Sequence, residues 1–220
     1  HIGRSGARLA VCNEHTEAAV VDEVLATLGA GGRVAVVTDA GTPAISDPGA
    51  RLVRAVLDAG FEVTSVPGPA AVVAALTASG LTTSRFVFEG FLPRSGKERQ
   101  QRLAEIAAER RTVVVYEAPH RIERTIDDLL AVCGGDRAVA VGRELTKRFE
   151  TWVRGPLGDI ELGEPRGEYV VVVGPSPSPA APTDEEIETA IDAALGSGQS
   201  TRDTAARVAE QLGVPRRAAY

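Results

Sequence analysis

The run Arg33–Thr38 (RVAVVT) most limits the folds open to this chain. Its apolar residues are consecutive rather than alternating, which is typical of a strand buried on both faces of a parallel sheet. A Gly- and Pro-containing segment follows, and then the helical pattern Ala50–Ala59. The arrangement recurs as strand pattern Phe61–Val66, turn Pro67–Pro69 and helical pattern Ala70–Ser79. Strands that alternate with helices in this way predict an α/β fold with a parallel sheet.

The remainder of the chain predicts a second lobe and a helical tail. Residues 81–174 carry strand and helix patterns in a less regular order, so we predict an α/β fold of two lobes, residues 1–80 and 81–174, the second with a mixed sheet. Residues 175–182 (PSPSPAAP) are a Pro- and Ser-rich linker, and residues 183–220 predict a small helix-turn-helix-like extension. The other predicted strands are Arg8–Cys12, Phe86–Phe91, Thr112–Tyr116, Arg137–Arg143, Phe149–Val153 and Tyr169–Val173. The other predicted helices are Thr16–Leu28, one that opens within Phe91–Arg102 and reaches about Arg110, Pro119–Val132, Asp184–Leu195, Thr201–Leu212 and a third tail helix after Pro215.

Charge and cysteine content narrow the classes of function. The chain has 24 Lys and Arg against 30 Asp and Glu, a net charge of −6, so any contact with RNA must be local or completed by a second subunit. Cys12 and Cys133 are far apart and flanked by apolar residues, which predicts reduced thiols and no metal site. No apolar run approaches the roughly 18–20 residues of a membrane-spanning helix and no signal peptide is present, so we expect a cytoplasmic protein.

Two turns fall where an open α/β sheet places its ligands. The loop Asp39–Gly49 (DAGTPAISDPG) and the turn Pro67–Pro69 each follow a strand and precede a helix. Asp47 is expected to cap the helix that follows, with Pro48 in its first turn. The backbone of Gly41 and the other loop residues have no such structural role and are available to contact a ligand. The small residues after Pro69 leave space for a ligand beside a helix N-terminus. A tight connection and close helix–sheet packing explain the same residues, and both readings stay open from the spacing alone.

Six motifs in order carry a resemblance to a known family. They are GTPAISDPG (41–49), PGP (67–69), FEGFLPR (88–94), YEAPHR (116–121), RELTK (143–147) and RGEYVVVV (166–173). Together they resemble the tetrapyrrole-methylase superfamily, and within it the ribosomal RNA small subunit methyltransferase I family. The resemblance runs from about His1 to Gly174, and the tail is similar to the helical extension of part of that family.

The resemblance implies a cofactor and the residues that hold it. It implies S-adenosylmethionine bound in a cleft between two α/β lobes, and 2′-O-methylation of a cytidine in the decoding region of bacterial 16S ribosomal RNA. The positions that match the family's cofactor-contacting segments are Thr42, Ile45, Ala70, Ala71, Tyr116, Glu117, Ala118, Gly167 and Glu168, to which we add Asp39 and Gly41 of the first loop. The family's P-T-P-I-G-N-L turn and E-D-T-R motif are absent, so we expect the first lobe to lack its N-terminal part. The segment before Arg166 is also too short for a helix that the family usually has there.

Methyl transfer to a ribose hydroxyl requires that the oxygen be aligned with the methyl group and that the hydroxyl proton be removed. A 2′-hydroxyl is a poor nucleophile at neutral pH, so a general base or a cation that stabilises the developing negative charge is expected. Glu144 and Lys147 are our candidates, with Arg143 on a phosphate. The alternative is that the charged residues of RELTK only form ion pairs at the end of a strand. His120 is predicted to be structural or phosphate-facing.

The best local candidate for RNA contact is the basic segment after FEGF. It carries Arg94, Lys97, Arg99 and Arg102, to which we add Arg121, with Arg110, Arg111 and Arg124 as reinforcement. A solvated charged face is the alternative. The resemblance implies 16S RNA or the small ribosomal subunit as partner and a homodimer. From the lack of a long apolar run and from the acidic tail, we expect no membrane and no DNA partner.

Two other functions fit parts of the sequence. A tetrapyrrole C-methyltransferase shares the superfamily, although the basic motifs favour a phosphate-bearing acceptor. A helix-turn-helix regulator with a metabolite-sensing α/β domain is the alternative from another class. Residues 183–220 hold four Arg against seven Asp and Glu, which disfavours a DNA-reading tail and leaves docking or dimer support as its predicted role.

Overall fold

A computed structural model describes residues 8–13, 16–177, 183–195 and 201–212. The chain divides into two compact units, residues 1–176 and 177–220. No helix in the described ranges is long and apolar enough to cross a membrane.

The larger unit is organised on one mixed sheet. Its strands are β1 (Phe86–Phe91), β2 (Thr112–Glu117), β3 (Ala138–Arg143), β4 (Thr151–Pro156) and β5 (Tyr169–Val173). They lie in the order β1-β2-β5-β3-β4, with β1 and β2 parallel and the other three pairs antiparallel. Strands β1, β2 and β3 therefore run in the same direction and end at one edge of the sheet, here named the carboxyl edge. The predicted mixed sheet of the second half is confirmed.

Helices cover both faces of this sheet. On one face Val113, Val115 and Val171 pack with helices α4 (Gly96–Ala108) and α5 (Ile122–Cys133). On the other face Val114, Ala140, Val170 and Val172 pack against α3 (Ala71–Ser79). Burial on both sides explains why these strands are continuous apolar runs rather than alternating ones.

The remaining helices of this unit form a small cluster of their own. Helix α1 spans Glu17–Gly29 and α2 spans Ala50–Asp58. Val24, Leu52 and Val56 are buried between them, with Phe61 packed alongside. The helical patterns read from the sequence locate α1, α2 and α3 to within about one residue at each end.

Three predicted strands are not formed. The runs Arg8–Cys12, Arg33–Thr38 and Phe61–Val66 have no strand ladder, and Val37 and Val66 are 78% and 85% exposed. A β-strand exists only where a neighbour accepts and donates its backbone hydrogen bonds, and no segment in the described ranges pairs with these runs. The prediction of three strands in a parallel sheet here is wrong for the described residues. The strand expected at Phe149–Val153 instead begins at Thr151, because residues before it belong to a tight loop.

The smaller unit is helical, as expected. Helix α6 (Asp184–Leu195) and helix α7 (Thr201–Leu212) bury Ala194, Ala205 and Val208 between them. A capping box starts α6: the Thr183 amide donates to Glu186 Oε2 at 2.8 Å, and the Glu186 amide donates to Thr183 Oγ1 at 3.2 Å. The third predicted tail helix lies outside the described residues.

Candidate functional site

The two predicted ligand turns meet in space. Thr42 Oγ1, in the loop Asp39–Gly49, donates a hydrogen bond to the carbonyl oxygen of Pro69 at 2.8 Å. Asp39, Gly41 and Ile45 are exposed, so this face of the loop is open. Ala70 and Ala71 lie at the start of α3, beside the turn. We name the loop Asp39–Gly49 and the turn Pro67–Pro69 together the two-turn site.

Backbone strain marks the same loop and one other. Among the described residues, four that are not glycine have positive φ: Ala44 at 67°, Ser46 at 57°, Glu144 at 50° and Thr146 at 64°. Two lie in the loop Asp39–Gly49 and two in the RELTK segment. Such conformations cost free energy and persist where surrounding contacts hold them, as they often do at functional sites.

Asp47 does not cap α2, which corrects the sequence prediction. Its Oδ2 instead accepts a hydrogen bond from Thr38 Oγ1 at 2.7 Å, across the base of the loop. The first turn of α2 is capped by Glu17 of α1, whose Oε1 accepts from the amides of Gly49, Arg51 and Leu52 at 3.0, 3.0 and 3.1 Å. Glu17 is buried, and its position 32 residues before Gly49 gave no local signal. The N-terminus of α2 is therefore already occupied by a carboxylate.

Tyr116 joins the sheet to the two-turn site. It lies near the carboxyl end of β2, and its phenolic oxygen accepts a hydrogen bond from the amide of Val72 at 2.8 Å. The ring of Phe88 contacts it edge-on, with centroids 4.8 Å apart. Burial raises the pKa of the Tyr116 phenol, and the carboxylate of Asp47 adds to the rise. Tyr116 therefore stays protonated at neutral pH.

The end of β1 contributes residues that the sequence reasoning missed. Strand β1 is irregular between Phe88 and Gly90, and a Cβ at Gly90, where φ is 63°, would lie 3.0 Å from Ser46 Oγ. The loop Asp39–Gly49 therefore packs directly on β1. Phe91 is 50% exposed, with its ring edge-on to Tyr116 at 5.9 Å. An exposed aromatic residue at the carboxyl end of a strand was the available signal.

Glu117 faces away from the two-turn site. Successive strand residues point to opposite faces, and Glu117 is 1% exposed on the α5 side of the sheet. Its Oε2 accepts from Thr125 Oγ1 at 2.7 Å and its Oε1 from the Ala118 amide at 2.9 Å. Arg121 Nε lies 3.2 Å from Oε1. Within the predicted segment Tyr116–Ala118, the Tyr116 side chain is directed to the two-turn site, whereas Glu117 secures the start of α5.

The RELTK motif and the turn before β5 form one ion-paired cluster. Lys147 Nζ donates to Glu144 Oε1 at 2.9 Å and to Glu168 Oε2 at 2.7 Å. Glu144 Oε1 also accepts from the Glu168 amide at 2.9 Å, and the Glu144 amide donates to the Glu168 carbonyl at 2.9 Å. Gly167 has φ 71°, and a Cβ there would lie 2.5 Å from Glu144 Cδ. The predicted residues of both motifs are therefore brought together.

Electrostatics set the protonation of this cluster. The hydrogen bond from Lys147 lowers the pKa of Glu144, helped by the Glu168 amide. The hydrogen bonds to Glu168 and Glu144 raise the pKa of Lys147. Lys147 is therefore an ammonium held between two carboxylates, and the lowered pKa of Glu144 makes that carboxylate a weak base at rest.

Both candidate regions leave the same edge of the sheet. Arg143 of β3 pairs with Tyr169 of β5, which pairs with Glu117 of β2, so the RELTK segment and Tyr116 leave the carboxyl edge two strands apart. Neighbouring strands are about 4.8 Å apart, which separates the two regions by roughly 10 Å along the edge. That span suits a small molecule bound between them.

The predicted RNA-binding cations divide into inward and outward groups. Arg99 is 3% exposed and bonded to Asp128, Thr125 and the Pro93 carbonyl at 2.7–2.9 Å. Arg121 donates to the Leu92 carbonyl and pairs with Glu117. Arg99 and Arg121 thus hold α4, α5 and their connection together. Arg99 is buried and does not lie on an RNA-facing surface, whereas the RNA contact expected of the partly exposed Arg121 stays a prediction.

Three cations of the basic segment remain outward, and Arg143 is a separate case. Arg94 and Lys97 are exposed, and Arg102 pairs with Glu89 while staying 41% exposed. Arg143 lies beside a cavity of about 40 Å³ near Tyr169, and its buried Nε has no hydrogen-bond partner in the structure. Arg94, Lys97 and Arg102 therefore form the accessible basic group.

The family follows from sequence and fold comparisons. The family model for tetrapyrrole (corrin/porphyrin) methylases matches residues 5–161. A protein from Xylella fastidiosa named ribosomal RNA small subunit methyltransferase I is 41% identical over 227 aligned residues, covering 100% of this chain and 82% of the relative. A protein of the same name from Synechocystis is 40% identical over 214 residues, covering 94% of this chain and 77% of the relative.

Solved structures agree at the level of the fold. The methyltransferase CobJ superposes with a TM-score of 0.57 at 24% identity, covering 73% of this chain and 70% of its own. Cobalt precorrin-4 methyltransferase, CbiF, superposes with a TM-score of 0.53 at 19% identity, covering 70% and 69%. The sequence resemblance is confirmed by these matches: the chain belongs to the tetrapyrrole methylase family and, within it, to the family of ribosomal RNA small subunit methyltransferase I.

Proposed function

We propose that this chain transfers a methyl group from S-adenosylmethionine to the 2′-hydroxyl of a cytidine in the decoding region of 16S ribosomal RNA. The observation that carries the proposal is that Tyr116, which is bonded to the Val72 amide beside the two-turn site, and the Lys147 cluster leave the same edge of one sheet two strands apart. Relatives of the same family bear the name of a ribosomal RNA methyltransferase, and this places the acceptor among RNAs rather than tetrapyrroles.

The two-turn site has the features that a sulfonium-bearing nucleoside needs. The space at Gly41 is open, and no side chain larger than a methyl group follows Pro69 until Val72. The Thr42–Pro69 hydrogen bond fixes the two turns relative to each other without a ligand. The residues that would hold the cofactor are Asp39, Gly41, Thr42, Ile45, Ala70, Ala71, Tyr116, Ala118, Gly167 and Glu168. The predicted Glu117 is left out because its side chain is buried on the other face of the sheet. When bound, S-adenosylmethionine supplies an electrophilic methyl group on a sulfonium.

The residues of the Lys147 cluster would then act on the acceptor. As the ribose oxygen forms its bond to the methyl carbon and the carbon–sulfur bond breaks, the hydroxyl becomes acidic and loses its proton. Lys147 would stabilise the negative charge developing on that oxygen. Glu144, ionised at neutral pH, would accept the proton late in the step, when the hydroxyl is most acidic.

Residues at the end of β1 would hold the RNA. Arg94, Lys97 and Arg102 are the accessible cations for its phosphates. Phe91 is half-exposed near them in the chain, and single-stranded RNA bases commonly stack on exposed aromatic rings.

The test is methyl transfer from labelled S-adenosylmethionine to small ribosomal subunits that lack the modification. We expect label in 16S RNA, resistant to alkaline cleavage at one cytidine, and none in a tetrapyrrole precursor. A Lys147→Ala protein should lose about 10²-fold in kcat with little change in KM. Label in the tetrapyrrole and none in RNA would replace the proposal with its C-methyltransferase alternative.

Assembly, lobe boundaries and location belong to the same proposal. We infer a cytoplasmic homodimer, with lobes at residues 1–80 and 81–174 and a tail at 183–220 that supports docking or dimerisation. An acidic chain with few outward cations is helped by a second copy in covering an RNA. Sedimentation of the purified protein at micromolar concentration checks the dimer; a single species of about 23 kDa would exclude it.

A further inference from the structure

A basic cavity lies at the edge of the sheet opposite the two-turn site. Its volume is about 490 Å³, and its lining includes Thr82, Ser84, Arg85, Glu109, Arg110 and Arg111. Arg85 immediately precedes β1, and Arg111 immediately precedes β2. Six-residue strands are about 16 Å long, so the cavity lies at least that far from the carboxyl edge.

The cavity holds three guanidinium groups and one carboxylate. Arg111 is tied to Glu109, with Nη2 to Oε2 at 2.6 Å and Nε to Oε1 at 2.9 Å. The side-chain hydrogen bond from Arg111 lowers the pKa of Glu109 to about 2, so this carboxylate is ionised and already neutralised. Arg85 and Arg110 are exposed and have no acidic partner among the described residues. Two positive charges are left for a ligand.

The chemistry of this lining fits a phosphate group. Guanidinium groups bind phosphate oxygens through paired N–H donors, and the hydroxyl groups of Thr82 and Ser84 lie in the same wall. The Glu109 carboxylate would repel an anion, but its hydrogen bonds to Arg111 neutralise its charge.

The position of the cavity connects it to the basic group at the other end of β1. Strand β1 is an edge strand, and exposed cations lie at both of its ends: Arg85 before it, and Arg94 and Lys97 after it. We propose that the cavity binds a backbone phosphate of the RNA, about 16 Å or more from the point of methyl transfer, so that one RNA strand follows β1 from end to end. This inference rests on the proposed function for the identity of the ligand.

The experiment compares Arg85→Ala/Arg110→Ala with Arg33→Ala/Arg51→Ala. The control pair removes the same charge from two exposed positions outside the cavity and the β1 ends. Binding of a fluorescent 16S RNA fragment is measured at several salt concentrations. The cavity variant should lower the slope of log Kd against log salt by about 1 for each lost contact, while the control leaves it near that of the wild type. Equal slopes for the two variants would overturn the proposal.

Two further measurements distinguish RNA phosphate from free phosphate as the ligand, and failure of the cavity proposal from failure of the proposed function. Inorganic phosphate and pyrophosphate are titrated against the protein without RNA: binding lost in the cavity variant, with RNA affinity unchanged, would make the cavity a small-anion site and overturn the RNA assignment. Arg85→Lys/Arg110→Lys should restore most of the salt slope. If the wild type binds RNA with the expected slope but methylates none, the proposed function fails while the cavity proposal stands.

Discussion

Replacing Gly167 by alanine perturbs the Lys147 cluster without removing any of its charged groups. The φ of 71° at this position costs a residue with a Cβ about 1–2 kcal/mol. The new methyl carbon would lie 2.5 Å from Glu144 Cδ and 2.6 Å from its Cγ, so the carboxylate must move. Moving it weakens hydrogen bonds to Lys147 and the Glu168 amide, each worth about 1 kcal/mol at a half-exposed site.

The expected result is a folded protein, about 2–3 kcal/mol less stable, whose kcat falls between tenfold and 10²-fold. Gly163→Ala is the matched control, because it lies in the same segment with open space around its Cβ position, and it should change stability by under about 0.5 kcal/mol. Urea unfolding and single-turnover methyl transfer measure the two effects. A Gly167→Ala protein with the kcat of the wild type would refute the catalytic role of the cluster. In a double-mutant cycle on kcat, Gly167→Ala should add little to Glu144→Ala, since both act on kcat through one carboxylate. In unfolding free energy, the cost of the positive φ at residue 167 should still add.

Three other predictions follow from single contacts. Tyr116→Phe leaves the Val72 amide without its acceptor and should cost about 1–3 kcal/mol in urea unfolding, with a rise in the KM for S-adenosylmethionine. Arg99→Ala should destabilise the protein by about 3–5 kcal/mol in urea unfolding, because it leaves the Asp128 carboxylate without its buried partner. Arg94→Ala should leave the unfolding curve unchanged and weaken RNA binding. The reverse pattern in the two assays would refute the division into inward and outward cations. Glu109 has a folded pKa of about 2, below its ordinary value of 4.5, so its pairing stabilises the fold above pH 4.5 and this contribution is lost as the pH falls from 4.5 towards 2. Glu109→Gln should remove that part of the acid dependence, measured as the difference in unfolding free energy between pH 5 and pH 2.5.

The second half of the fold could be predicted because the apolar pattern of each strand and helix reflects how that element is buried. The runs Thr112–Glu117 and Tyr169–Val173 are continuous in Val because both faces of β2 and β5 are covered, and the helices between strands have clear apolar stripes. The same logic misled at Arg33–Thr38, whose composition is just as strand-like. Pairing is a property of two segments, and a single run carries no information on whether a neighbour lies beside it.

The candidate site shows the same division between local and tertiary information. The loop Asp39–Gly49 and the RELTK motif were identified from residue types and order, and the structure places both at one sheet edge. The roles of charged residues were harder to predict: Glu17 caps α2, Glu117 secures α5, and Arg99 is buried. A charged side chain has the same identity whether it faces solvent or satisfies a buried backbone, so its partner decides its role, and that partner is often 30 residues away.

The strained residues connect the fold to the proposed chemistry. Each positive φ outside glycine costs of order 1–3 kcal/mol, and it persists only if neighbouring structure fixes it. In the RELTK segment those contacts are visible: Glu144 is held by the Glu168 backbone, and the Thr146 amide donates to Glu150 Oε2 at 2.6 Å while Trp152 Nε1 holds the other oxygen at 2.9 Å. Strands β3, β4 and β5 thus hold Lys147 in place before any ligand arrives. A displacement reaction depends on alignment, and a cation that does not need to be reoriented during the step lowers the barrier by more than a mobile one.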